Sequence, residues 1–171
     1  MPTKYTLSAR ILHWLMAIII ISTIVIAFYM TAIDKNNENR LFFYNLHKSL
    51  GIVVFLLAIV RLIVRLRNAP PPMPKDTSLL IFNLAKTIHS LMYLLIFLVP
   101  ISGYLMSNYY GYPAKLFGIS LPVVATINFD LARFFTQMHE FFAFSLIFLI
   151  IIHIVATIRH QLKTPIINRM L

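Results

Sequence analysis

Residues 134–158 read FFTQMHEFFAFSLIFLIIIHIVATI, and this stretch decides the fold. Glu140 is its only charged side chain. Wound as an α-helix it is about 37 Å long, more than the ~30 Å hydrocarbon core of a bilayer. A single strand of the same residues would leave its backbone N–H and C=O groups unpaired in lipid. Three further runs have the same character, at residues 11–30, 47–66 and 88–107. The pattern predicts one all-α domain over residues 1–171, a membrane-spanning four-helix bundle. The first run is too long for the ~7–15-residue apolar region of a secretory signal. It ends in Ala27-Phe28-Tyr29-Met30-Thr31 without a small-residue cleavage site, so it reads as a retained helix.

Composition agrees with a lipid solvent. Of the 171 residues 60% are hydrophobic and 12% charged, with a mean hydropathy of +0.83. Soluble domains carry about 25% charged residues. The formal net charge of +10 would suit nucleic acid in a soluble protein. Here the basic residues stand at the ends of the apolar runs, where they set topology and meet lipid headgroups, so no nucleic-acid partner is expected. No cysteine is present, which excludes disulfides, iron–sulfur clusters and thioether-linked haem.

Three connections separate the runs. Residues 34–40 are polar. Residues 67–85 include Pro70-Pro71-Pro72-Met73-Pro74, which cannot be helical and is expected to be an extended linker. Residues 108–133 hold Gly111, Pro113, Gly118 and Pro122 in an otherwise apolar segment, expected to cover one end of the bundle. Lys4, Arg10, Arg61, Arg65, Arg67, Lys75, Lys86, Arg159, Lys163 and Arg169 fall on one side, and Lys35, Arg40, Lys48, Lys115 and Arg133 on the other. Four of the five acids join the second group. The positive-inside rule therefore places both termini in the cytoplasm and has the 34–40 and 108–133 loops face the periplasm or exterior.

Ionisable residues inside membrane helices are functional by default, and all six histidines lie in or beside the four runs. His139 and His153 are 14 residues apart, hence about 21 Å in rise and only ~40° from the same face. Depth then pairs His47 with His139 near the outside and His13 with His153 near the inside. Two imidazoles from different helices facing a bundle core suit a haem iron, and with no cysteine that means two b haems. A zinc ion wants about four ligands at one level. Gly51, one turn beyond His47, would let a flat macrocycle approach its helix. Arg61 shares the His47 face at the depth of the inner pair and needs an anion, for which a haem propionate or the membrane interface would serve. His89 and His160 lie near the inner pair but not level with it. They suit either headgroup contact or a quinone carbonyl, to which a histidine donates a hydrogen bond and later passes a proton. Trp14, Tyr5, Tyr29 and Tyr93 fit an interfacial aromatic belt. Pro100 with Gly103 is expected to kink the third helix, and the eight methionines read as packing.

The His13-Trp14-Leu15 triplet, the 46–51 sequence LHKSLG, Arg61 with Arg65-Leu66, and the proline linker resemble the bacterial four-helix cytochrome b561 family. His89 with Tyr93 and Pro100, His139-Glu140, His153 and His160 extend the likeness over nearly the whole chain. Within that family the chain looks closest to superoxide oxidases, di-haem superoxide:ubiquinone oxidoreductases. The resemblance implies that His13, His47, His139 and His153 are axial haem ligands. It also implies an oxidoreductase that takes electrons from superoxide outside and passes them to ubiquinone. Lys48, Lys115 and Arg133 lie on the outer side, Lys48 and Arg133 flanking the outer pair in sequence, and would draw in the anion or serve as ordinary surface charge. Two other readings stay open. One is a haem b subunit fed by a membrane dehydrogenase or hydrogenase partner; the other is a haem-free transporter with a histidine relay.

Overall fold

The computed structural model describes residues 4–72, 77–162 and 166–171. Met73, Pro74, Lys75 and Lys163, which entered the linker and topology readings, lie outside the described residues. Four long helices dominate: α1 (Leu7–Ala32), α2 (Arg40–Arg67), α3 (Leu79–Tyr109) and α4 (Phe129–Gln161). All four are long and apolar enough to cross a membrane. Each contains the corresponding expected run and extends past it at both ends. Hydropathy marks only the part that needs hydrocarbon, whereas helices continue until a cap stops them. Thr6 accepts from the Ala9 N–H at the start of α1, and Ser78 from Ile81 at the start of α3. Asn128 accepts from Asp130 and Leu131 at the start of α4. α3 runs unbroken through Pro100.

Close backbone packing runs in chain order, α1 on α2, α2 on α3 and α3 on α4. α1 and α4 meet through side chains, as where Phe28 sets its edge on Phe144, 6.3 Å between ring centres. Few large side chains are buried; Met16, Val54, Leu95 and Leu146 are the main ones. Ile18, Phe141 and Phe148 instead point outward, each more than 60% exposed. An apolar exterior of this extent requires lipid as its solvent.

The two ends of the bundle are finished differently. At one end, residues 166–171 fold back on the start of α1. The Arg169 carbonyl accepts from the Tyr5 N–H (3.1 Å) and the Met170 carbonyl from the Trp14 indole (2.8 Å). The Arg169 guanidinium reaches the Pro72 carbonyl (2.6 Å). Trp14 is thus held by the chain as well as suited to an interface. At the other end lies a cap with a two-strand hairpin, β1 (Lys115–Leu116) and β2 (Ile119–Ser120), Lys115 opposite Ser120. Its turn residues Phe117 and Gly118 both have positive φ, +47° and +96°, as a tight two-residue hairpin turn requires. Buried Ser49 of α2 locks the hairpin down. Its hydroxyl lies 2.9 Å from the Lys115 carbonyl and accepts from the Phe117 N–H at 3.0 Å. Lys48 adds a bond to the Tyr112 carbonyl (2.9 Å).

Candidate functional site

Two histidine clusters sit at two levels. Beneath the cap, His47 of α2 faces His139 of α4, with ring centres 6.2 Å apart and planes at 87°. Toward the other end, His13 of α1 faces His153 of α4 at 6.3 Å and 76°. Metal–imidazole bonds of about 2.0–2.1 Å on opposite sides of one ion would set ring centres about 6.3 Å apart. Among the described residues no three His, Asp or Glu side chains converge as a cage for a bare metal ion. Two facing imidazoles per level fit an iron whose other ligands come from a macrocycle.

The capped level is oriented by backbone. His47 Nδ1 donates to the Thr23 carbonyl (3.2 Å) and His139 Nδ1 to the Val99 carbonyl (2.9 Å). A proton fixed on Nδ1 leaves the Nε2 lone pair free, the state in which histidine ligates a metal. Ser102 stands beside the second bond, its hydroxyl 3.4 Å from His139 Nδ1. Gly103 makes room for that ring: a Cβ there would lie 2.9 Å from His139 Cε1 and 3.0 Å from Nδ1. At Gly51 a Cβ would meet nothing within 4 Å, so that face of α2 is open beside the pair. The open face at Gly51 therefore fits a flat group held between the helices, while Gly103 serves to seat the His139 ring.

The other level is polar and more crowded. Arg61 donates from Nε to the Tyr93 hydroxyl (3.1 Å) and from Nη2 to His13 Nδ1 (3.0 Å). Arg133 pairs with Asp130, and among the described residues no Asp or Glu side chain answers the Arg61 charge. A third imidazole joins: His89 lies 5.3 Å from His153, with planes at 65°. This corrects the expectation that His89 sits off the level of the inner pair. α3 begins at Leu79, so His89 is about 15 Å into the helix instead of at its start. Tyr93 follows His89 by four residues and shares its face, which carries it to Arg61 in place of an interfacial belt. His160 stands two turns beyond His153 and half-exposed, apart from this group.

The two cationic residues expected at the capped end have different surroundings. Lys48 is half-buried and tied to the cap. Arg133 is exposed and paired with Asp130 at 2.5 Å, three residues earlier on the same helix. Sequence reasoning passed over Thr23, Ser49 and the contact of Gly103 with His139. The sequence signals for them are faint: a serine inside α2 and a glycine inside α3 whose first expectation is a kink.

Four apolar helices around two levels of facing imidazoles are the arrangement that a membrane cytochrome of the b type requires. The chain matches the family described as prokaryotic cytochrome b561 over residues 4–171. It belongs to that family, whose members are membrane electron-transfer proteins binding b haem. It is therefore a multi-pass bacterial membrane protein. It is 29% identical to cytochrome b561 homolog 2 of Escherichia coli (strain K12), over 99% of this chain and 92% of that one. It is 32% identical to the probable superoxide oxidase CybB of Yersinia pestis, over 68% of this chain and 66% of that one. With cytochrome b561 homolog 1 of Escherichia coli (strain K12) it shares 24% identity, over 88% and 85%.

Proposed function

We propose that the chain is a di-haem superoxide:ubiquinone oxidoreductase of the bacterial inner membrane, with both termini in the cytoplasm. In this reading His47 and His139 hold the haem under the periplasmic cap, and His13 and His153 hold the one near the cytoplasm once Arg61 has released His13 Nδ1. The observation that carries the reading is the pair of facing imidazoles at each level, 6.2 and 6.3 Å between ring centres. When bound, the haems supply one-electron carriers joining the two ends of the bundle.

The protein's own residues do the rest. Thr23 and Val99 carbonyls keep His47 and His139 in the ligating tautomer. Arg61 gives the inner level a cation free of any carboxylate partner among the described residues, suited to a propionate. Lys48, beside the capped pair, contributes local positive potential toward the superoxide anion. Arg133 contributes less, because Asp130 offsets it. Two superoxide ions each lose one electron to become O2, and one ubiquinone takes both electrons with two protons. His89 is exposed on one side while its ring rests on His153, so it is positioned to hydrogen-bond a quinone carbonyl from the membrane. His160 extends that path by two turns. The likeness to the probable superoxide oxidase of Yersinia pestis supports superoxide as donor.

Anaerobic addition of superoxide to the purified protein, followed at the haem absorption bands, tests the proposal. Rapid reduction is expected, with reoxidation when a ubiquinone analogue is added. Slow reduction by superoxide, together with a co-purifying dehydrogenase that reduces the protein quickly, would overturn it.

A further inference from the structure

The exposed faces of α1 and α4 are lined by Ile18, Ile21, Val25 and Phe28, and by Phe141, Phe144, Phe148 and Ile151. The exposed face of α3 departs from this. Asn83, Lys86, Thr87 and Ser90 recur at i, i+3, i+4 and i+7 and so share one face. All four are exposed, and with Leu91 and Leu94 they line an open cleft of about 480 Å³. Within the described residues none of these four side chains has a hydrogen-bond or ion-pair partner. Polar groups on a lipid-facing surface cost free energy unless something meets them.

Their order along the helix is informative. Asn83 and Lys86 stand about 9 and 4.5 Å from the His89 level, toward the end of the bundle where α1 begins. Thr87 and Ser90 flank that level, and Leu91 and Leu94 continue into the span. Cation and amide come first, then hydroxyls, then apolar surface. A phospholipid has the same sequence of chemistry: phosphate, ester carbonyls, acyl chain.

We propose that this cleft binds an anionic phospholipid, its phosphate on Lys86 and Asn83, its ester carbonyls on Thr87 and Ser90, and an acyl chain along Leu91 and Leu94. No carboxylate among the described residues offsets Lys86, so a lipid with net negative charge is preferred. A zwitterionic headgroup would bring its own ammonium to the same place. The cleft lies at the depth of His89 but is lined by none of the histidines, and it does not depend on which molecule donates electrons.

Native mass spectrometry of the purified full chain, titrated with phosphatidylglycerol or phosphatidylcholine, is the test. At least one phosphatidylglycerol should remain bound, about five-fold more tightly than phosphatidylcholine, the effect of one surface cation. Lys86→Gln should abolish the preference, and Thr87→Val with Ser90→Ala should weaken both lipids. Circular dichroism and the haem-to-protein ratio should match the parent in each variant. Equal retention of the two lipids, or Lys86→Gln without effect, overturns the proposal. So does displacement of phosphatidylglycerol by millimolar inorganic phosphate, or a dimer signal that Lys86→Gln abolishes, which would assign the stripe to a second copy of the chain.

Discussion

Replacing Gly103 by alanine should remove the haem assigned to the capped level and leave the other in place. The added Cβ would lie 2.9 Å from His139 Cε1 and 3.0 Å from Nδ1. Comfortable carbon contacts begin at about 3.5 Å, so the ring must retreat by roughly 0.5–1 Å. The His139–Val99 bond is 2.9 Å long. A shift of that size carries it to about 3.5 Å or beyond, where it no longer counts as a hydrogen bond. Overpacking costs about 1–3 kcal/mol, and losing the ligand's supporting bond typically lowers metal affinity about 10–100-fold. Reduced-minus-oxidised spectra and the haem-to-protein ratio should therefore show one haem lost or weakly held. Gly51→Ala separates this cause from general damage. Its Cβ meets no protein atom within 4 Å, and alanine favours a helix by about 1 kcal/mol over glycine. That variant should be as helical as the parent, while holding haem less well if the macrocycle lies on that face. Full occupancy of both haems in Gly103→Ala would refute the assignment of His139 as a ligand positioned by Val99.

The pairing itself predicts which substitutions act together. His47→Ala and His139→Ala should each remove the same spectral component, and His13→Ala and His153→Ala the other; loss of both components from any single change would undo the two-level assignment. Arg61→Gln should lower one of two haem midpoint potentials, by about 70 mV for one unit charge about 10 Å away at an effective dielectric of about 20, with the other unmoved in a redox titration. Lys48→Met should slow reduction by superoxide several-fold and flatten its dependence on ionic strength. Arg133→Gln should change the rate less than about two-fold, because Asp130 already offsets that charge; equal effects of the two would mean that the cap contributes nothing specific.

Much of the fold was legible because a bilayer demands long apolar runs. The same demand says nothing about where helices end, so hydropathy puts His89 at the mouth of α3 whereas it lies about three turns inside. The histidine pairs were legible because a fixed rise per residue converts spacing into depth. What rise and hydropathy cannot convey is azimuth. Tyr93 on Arg61, Gly103 beneath His139 and Ser49 on the hairpin depend on how helices are rotated and where a loop folds back. Those contacts arise between elements and leave only faint marks, such as a glycine or a serine inside a helix.

The two levels differ in a way that bears on the direction of electron flow. Under the cap, the histidines are anchored by two backbone carbonyls, groups that neither gain nor lose a proton. At the other level an arginine, a tyrosine hydroxyl and a third imidazole gather around the pair. Oxidation of superoxide to O2 moves an electron and no proton, whereas reduction of a quinone takes up two protons with two electrons. A site for the first reaction needs positive potential and rigid ligands. A site for the second needs side chains able to hand over protons close to the iron. The carbonyl-anchored level beside Lys48 suits the former, and the level of His89, Tyr93 and Arg61 suits the latter. With superoxide as donor and a quinone as acceptor, as proposed above, this asymmetry would have electrons enter beneath the cap and leave, with protons, at the opposite end.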